Sequence, residues 1–209
     1  MFLKQMQVGP MAVFAYIIGD TGAGEGVVVD PAANTDAIIS EAEKNGIKIK
    51  YIINTHGHVD HTSGNAGMKK KTGAEVIIHK DDAETLDIKP AAMLKMFGAE
   101  QSPPADIIVK DGDIIRAGKV ELKVIHTPGH SPGGISLYTE GCVLTGDTLF
   151  VGGVGRTDIS GGSWEVLVRS IKEKLLSLPD ETVVLPGHNY GSMPTSTIGN
   201  ERRNNPFLA

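Results

Sequence analysis

The chain of 209 residues has one cysteine, Cys142, so no disulfide can form within it. Cys142 lies inside the run Gly141-Cys142-Val143-Leu144 and reads as a buried apolar residue rather than a reactive thiol. No apolar run approaches the ~20 residues that a bilayer span requires, so no membrane partner is expected. Residues 1–6 lack the apolar core of a signal peptide, and the expected location is cytoplasmic. Long charge runs are missing too. The formal charge of -5 is dispersed, and the longest basic stretch, Lys69-Lys70-Lys71, falls at the end of a helical segment where the macrodipole favours cations. Nucleic-acid binding is therefore not suggested. With 40% hydrophobic and 22% charged residues, the chain reads as a single globular domain over residues 1–209, with halves of about 1–104 and 105–209.

Apolar runs and turn residues place the elements. Strands are expected at 11–18 and 26–30 around the turn residues 19–24, so a hairpin opens the fold. A helix capped by Asn34 or Thr35 runs to Lys44, with Gly46 as its stop. A strand at 51–54, a helix at 63–72, a strand at 75–78 and a short helical stretch at 81–86 follow. Residues 89–104, with a short helix at 91–97 and the breaker Ser102-Pro103-Pro104, form the connection between halves. Strands at 114–116, 120–126, 134–139 and 142–144 come next, then a helix at 164–178 capped by Ser163 and a last core strand at 183–185.

Four loops at the ends of apolar runs carry the chemistry. The first, Thr55-His56-Gly57-His58-Val59-Asp60-His61, packs three imidazoles and a carboxylate into one short stretch after Tyr51-Ile52-Ile53. Neutral imidazole nitrogen and carboxylate oxygen suit zinc, iron or manganese, and a bound cation offsets the desolvation that such crowding costs. The second places His130 between Pro128-Gly129 and Pro132-Gly133, a tight irregular turn. The third ends the strand Val143-Leu144-Thr145 in Gly146-Asp147, and the fourth ends Val183-Val184-Leu185 in Pro186-Gly187-His188. Scattered surface histidines would not recur in this way at one strand end after another. His79 reads as a solvated strand end, and His126 as a residue that orients the neighbouring loop through a hydrogen bond; either could instead support a metal ligand from behind.

The ordered signature His56-x-His58-x-Asp60-His61, then His130, then Asp147, then His188 resembles the metallo-β-lactamase superfamily. That resemblance implies an α/β fold of the four-layer αβ/βα sandwich type, with the site at one edge. It implies a first metal on His56, His58 and His130 and a second on Asp60, His61 and His188, with Asp147 bridging two divalent ions, zinc foremost, iron or manganese as alternatives. Two cations sharing a water lower its pKa from ~15.7 toward ~7 and supply hydroxide as nucleophile, while the metal polarises an acyl carbonyl. Asp60 is then the candidate to orient the nucleophile or take its proton.

The segment Thr145–Asp158 resembles the glyoxalase II and persulfide dioxygenase branch. There Arg156 stands where relatives bind the glycine carboxylate of a glutathione moiety, and Tyr190 matches a substrate-contacting tyrosine. The small-molecule substrate expected from this is a thioester of the S-acylglutathione type. The departure from glyoxalase II is the lack of an additional helical region after the last metal histidine. The rival implied by the same branch is a mononuclear iron persulfide dioxygenase using His56, His58 and His130. A β-lactamase is disfavoured by the glyoxalase-like turn, and a flavodiiron protein by the absence of a replaced histidine. Arg202 and Arg203 read either as contacts to an anionic substrate or as surface ion-pairing residues.

Overall fold

The computed structural model describes residues 1–208. Its first sheet contains β1 (Phe2–Val8), β2 (Val13–Asp20), β3 (Glu25–Val29), β4 (Lys48–Ile53), β5 (Glu75–His79) and β6 (Ile107–Val109), in that spatial order. The first three strands are antiparallel neighbours, and β3 to β6 run parallel. Parallel neighbours need crossovers, which α1 (Thr35–Lys44), α2 (Val59–Thr62), α3 (Asn65–Thr72) and α4 (Ala91–Phe97) help to provide.

The second sheet begins with β7 (Ile114–Ala117), β8 (Val120–His126), β9 (Ile135–Thr139) and β10 (Cys142–Gly146). After the small hairpin β11 (Leu149–Phe150) and β12 (Gly153–Val154) and the helix α5 (Trp164–Ser170), the chain adds β13 (Val183–Pro186), β14 (Ser196–Thr197) and α6 (Ile198–Asn204). The order across this sheet is β14-β13-β10-β9-β8-β7, with β10 and β13 parallel.

Strand periodicity builds the layers. On β2, Phe14, Tyr16 and Ile18 point into the cluster shared by both sheets, where they meet Leu122, Leu137 and Leu144. The alternate residues Ala15 and Ile17 point the other way and pack with Ile38, Ala42 and Met68 of the outer helices. The second sheet repeats the arrangement: Val143 and Val184 turn outward to Leu167, Ile171 and Leu175. Helices, sheet, sheet and helices form the four-layer αβ/βα sandwich that the ligand order implied.

Several elements differ from the sequence expectation. The expected hairpin is present as β2 and β3, but the unforeseen strand β1 precedes it and pairs with β2; its polar residues Lys4, Gln5 and Gln7 belong to an edge strand that is only half buried, which conceals its period from the sequence. The helix expected at 63–72 is present as α3, with the unforeseen short helix α2 before it in the ligand loop, and the one expected at 164–178 ends as α-helix at Ser170 and continues as a π-helical turn over Ile171–Leu175. Ser163 does cap it, its hydroxyl accepting from the Val166 amide. The change of sheet falls between Val109 and Ile114, beyond the break at Pro104, because β6 still pairs with β5.

Tyr16 ties the first sheet to the strand that ends at His188. Its buried hydroxyl donates to the Pro186 carbonyl at 2.6 Å and accepts from the Gln5 side chain at 2.9 Å, and burial pushes its pKa up. Replacing Tyr16 with Phe leaves the Pro186 carbonyl without that donor. A loss of about 1–3 kcal/mol in urea unfolding is expected; an unchanged midpoint would mean that the bond contributes nothing to the joint.

Candidate metal centre

The loops after β4, β8, β10 and β13 converge on one point. Potential ligand atoms of His56, His58 and His130 lie within 4.8 Å of one another, as do those of Asp60, His61 and His188 and those of His56, His61 and Asp147. His58 Nδ1 faces His130 Nε2 at 2.9 Å, and His61 Nε2 faces His188 Nε2 at 3.0 Å. Asp147 stands between the two groups. Its Oδ2 is 3.5 Å from His130 Nε2 and 3.3 Å from His188 Nε2, and its Oδ1 is 3.3 Å from His61 Nε2. Asp60 Oδ2 lies 3.5 Å from His188 Nε2.

Glycine lets these loops approach so closely. A Cβ on Gly187 would come within 2.4 Å of Asp147 Oδ1, and one on Gly146, whose φ is +48°, within 2.5 Å of Thr55 Oγ1. Neither position tolerates a side chain without moving Asp147 or the Thr55 that supports His56.

The outward ring nitrogens of His56, His61, His130 and His188 are occupied, and this sets their tautomers. Nδ1–H of His61 donates to Asp30 Oδ2 at 3.0 Å, that of His130 to the Arg156 carbonyl at 2.7 Å, and that of His188 to the Met11 carbonyl at 2.8 Å. Thr55 Oγ1 donates to Asp30 Oδ2 at 2.7 Å and so accepts from His56 Nδ1 at 3.1 Å. Four rings therefore turn Nε2 inward, the orientation a cation requires. Asp30 adds a bond from the Thr55 amide at 2.8 Å, and it does so from a left-handed backbone with φ of 49°. A non-glycine residue in that region carries strain, which the surrounding bonds hold in place.

Two atoms test whether a metal fits. His56 Nε2 and Asp147 Oδ1 are buried side-chain atoms without a hydrogen-bond partner among the described residues. Buried polar atoms are nearly always paired, so a lone pair and a carboxylate oxygen both directed at the cluster fit a cation as their missing partner. Burial also holds the His56 pKa well below its usual value and, with His130 and His61 adding to it, brings His58 down to about 4, so both rings are neutral and able to ligate. Burial acts the same way on His61 and His188, but it is outweighed. The Asp147 and Asp30 carboxylates raise His61, and bonds to Asp147 and Asp60 push His188 up to about 9.

A second carboxylate fixes the ligand loops from behind. Asp82, 1% exposed, accepts from the Gly57 amide at 2.9 Å, from Ser131 Oγ at 2.7 Å and from the Gly133 amide at 2.7 Å. It thus joins the loop carrying His56 and His58 to the loop carrying His130. Lys89 Nζ donates to the Gly57 carbonyl at 2.6 Å. Asp30, Asp82 and Lys89 were not singled out by the sequence, since each acts through residues far away in the chain and none lies in a recognisable motif. His79 requires a correction: it is 1% exposed, not a solvated strand end, because the His126 ring stacks on it at 4.0 Å. His126 holds its loop by donating Nε2–H to the Pro132 carbonyl at 2.9 Å.

The cluster forms the floor of a groove of about 1060 Å³. Arg156 and Tyr190 both line it. Arg156 is held by a two-point ion pair with Asp158 at 2.8 and 2.9 Å, and the Tyr190 ring stacks on His188 at 4.4 Å. Arg202 and Arg203 are surface residues paired with Asp180.

The family model of the metallo-beta-lactamase superfamily matches residues 8–188, a span that includes every cluster residue. The chain belongs to that superfamily. It is 35% identical to a probable metallo-hydrolase of Bacillus subtilis, YqgX, over 98% of this chain and 96% of that one. It is 33% identical to the hydroxyacylglutathione hydrolase GloC of Haemophilus influenzae over 87% and 86% of the two chains. The human mitochondrial persulfide dioxygenase ETHE1 is 32% identical over 99% of this chain and 75% of its own length. Among solved structures, the BLEG-1 B3 metallo-beta-lactamase superposes with a TM-score of 0.89 at 33% identity, each chain covered fully. TTHA1623 in a di-iron-bound form superposes with a TM-score of 0.85 at 33% identity, over 98% of this chain and all of that one. The His/Asp clusters of this superfamily member are suited to a dinuclear metal site.

Two outcomes follow from this geometry. Replacing Asp82 with Asn removes charge and an acceptor from behind the loops while leaving the cluster intact; zinc affinity by competition with a chelator should fall about 10–100-fold. The melting temperature of the metal-free protein should change little by comparison. Equal affinity in the variant would remove Asp82 from the account. Because His188 titrates near 9 when metal-free, zinc uptake at neutral pH displaces a proton, and affinity should rise as pH increases toward that value. Calorimetry in buffers of different ionisation enthalpy reads the proton directly; no release would contradict the assignment.

Proposed function

We propose that the chain is a hydrolase with two divalent cations, one held by His56, His58 and His130, the other by Asp60, His61 and His188, with Asp147 shared. Its proposed reaction converts a thioester of the S-acylglutathione type and water to a carboxylate and a free thiol. The observation that carries this reading is the position of Asp147, whose Oδ2 lies 3.5 Å from His130 Nε2 and 3.3 Å from His188 Nε2. A carboxylate so placed reaches both triads at once. Zinc is the first metal to test, with iron and manganese after it.

When bound, such a cation pair acidifies water and polarises a carbonyl. The chain's own groups do the rest. Asp60, whose side chain is 19% exposed, faces the groove and is placed to orient the nucleophile's proton. Tyr190 and Arg156 border the route by which a substrate reaches the floor. For Arg156 to hold a substrate carboxylate, that carboxylate must compete with Asp158. The GloC relative supports the thioester class, and the mitochondrial relative supports the second reading, persulfide oxidation at a single iron on the three-histidine set.

Protein loaded separately with zinc, manganese and ferrous iron, and given S-lactoylglutathione, should lose thioester absorbance. Turnover should fall more than about a hundredfold in Asp147→Ala, because loss of a ligand exceeds the 10–100-fold typical of a supporting residue. Absence of turnover with all three metals, together with oxygen uptake on glutathione persulfide by the iron form, would replace the hydrolase with the dioxygenase. Nitrocefin belongs in the same assay, given the likeness to a B3 metallo-beta-lactamase.

A further inference from the structure

The walls of the groove carry information that the metal floor does not. Many of the exposed large hydrophobic side chains of this protein gather here: Met11, Ile88, Met93, Tyr190 and Phe207 all line the same groove, with Ile88 72% exposed and Phe207 51% exposed. Isolated apolar residues on a surface are ordinary, but a concentration of them around one cavity marks a binding surface. The helix α4 sharpens the point. None of its seven residues is buried, so it adds nothing to the core, yet its Met93 and Phe97 side chains line the groove. Lys89, through its bond to the Gly57 carbonyl, fixes the start of this segment to the loop that carries His56 and His58. The apolar wall is therefore held in register with the reacting end of the site.

The cations of the groove are already engaged. Arg156 is spent on Asp158 and Lys89 on the Gly57 carbonyl. Glu84 adds a further acid to the lining. A carboxylate of the thiol must compete with Asp158 for Arg156, whereas an apolar acyl chain finds a ready surface. At about 1060 Å³ the groove is also at the upper end of the ~300–1,000 Å³ usual for small-molecule sites, far more than a lactoyl group fills.

We propose that the wall formed by Ile88, Met93, Phe97 and Phe207 is a subsite for an apolar acyl chain, and that the preferred substrates are acyl thioesters with an extended hydrocarbon acyl group. This rests on the thioester reading above. The chain lies along the wall with its carbonyl over the cluster, and cleavage by water releases the fatty carboxylate and the thiol. The occupant is the substrate's own acyl group because the same groove contains His58, His130 and Asp147 at its floor.

The test uses the metal-loaded protein with acetyl, butyryl, hexanoyl and octanoyl thioesters of one small neutral thiol, N-acetylcysteamine, and with the matching non-hydrolysable alkyl thioethers. Values of kcat/KM should climb about fourfold per added methylene until the wall is covered, the factor that corresponds to ~0.8 kcal/mol per buried CH₂. The octyl thioether should bind far more tightly than the methyl one by calorimetry. The double variant Met93→Ala, Phe97→Ala should flatten the length dependence of both series, and Ile88→Asp should do the same. A flat series with equal thioether affinities overturns the subsite even if the acetyl ester is cleaved. Tight octyl thioether binding without cleavage of any thioester overturns the hydrolase reading and leaves the subsite standing. A flat series in a dimer that Ile88→Asp dissociates assigns the apolar wall to a second copy of the chain and overturns the proposal.

Discussion

Five imidazole rings and two carboxylates share one edge of the two sheets, and most of them are inaccessible to water. Burying so many polar groups is costly unless every one finds a partner. The outward nitrogens of four rings reach Asp30, Thr55 and the carbonyls of Arg156 and Met11. The inward atoms, His56 Nε2 and Asp147 Oδ1 among them, have only the cluster itself. A cation at the centre would complete the set, and the loops, glycines and supporting carboxylates are arranged as such a group requires.

The two sheets meet where this demand is greatest. The Phe14 amide donates to the Gly187 carbonyl at 2.8 Å, and the Asn189 amide to the Ala12 carbonyl at 2.9 Å, so β2 of the first sheet clasps the His188 loop of the second. The Ile135 amide donates to the Thr55 carbonyl at 2.8 Å and joins them in the opposite sense, second sheet to first loop. Asp82 spans the same gap by side chain. Rigidity at the centre thus comes from bonds across the sandwich. The groove above is walled in part by α4, which buries no residue in the core and is tied to the first ligand loop by the Lys89 bond to the Gly57 carbonyl.

What could be read from the sequence was local. Each ligand loop pairs an apolar strand with Gly or Pro and a histidine or aspartate, all within a few residues, so the cluster and the order of its members were legible before any contact was known. Asp30 and Asp82 were not, because one looks like the end of a strand and the other like part of a short charged helical stretch. Their work is done on residues 25 to 51 positions away. Strand β1 hid behind its polar edge residues, and His79 behind neighbouring charges. The short helix at 91–97 was foreseen, but its lack of any buried side chain is a property of the assembled fold that local pattern does not encode.

The proposed sharing of Asp147 by two cations is open to direct measurement. Metal content of the purified, zinc-saturated protein by elemental analysis tests it most directly, with the positions read by anomalous scattering from crystals of the same material. Two ions per chain are expected, with the Asp147 carboxylate between them, and at least one is lost in Asp147→Ala. One ion in the wild-type chain, or two retained in the variant, would contradict it.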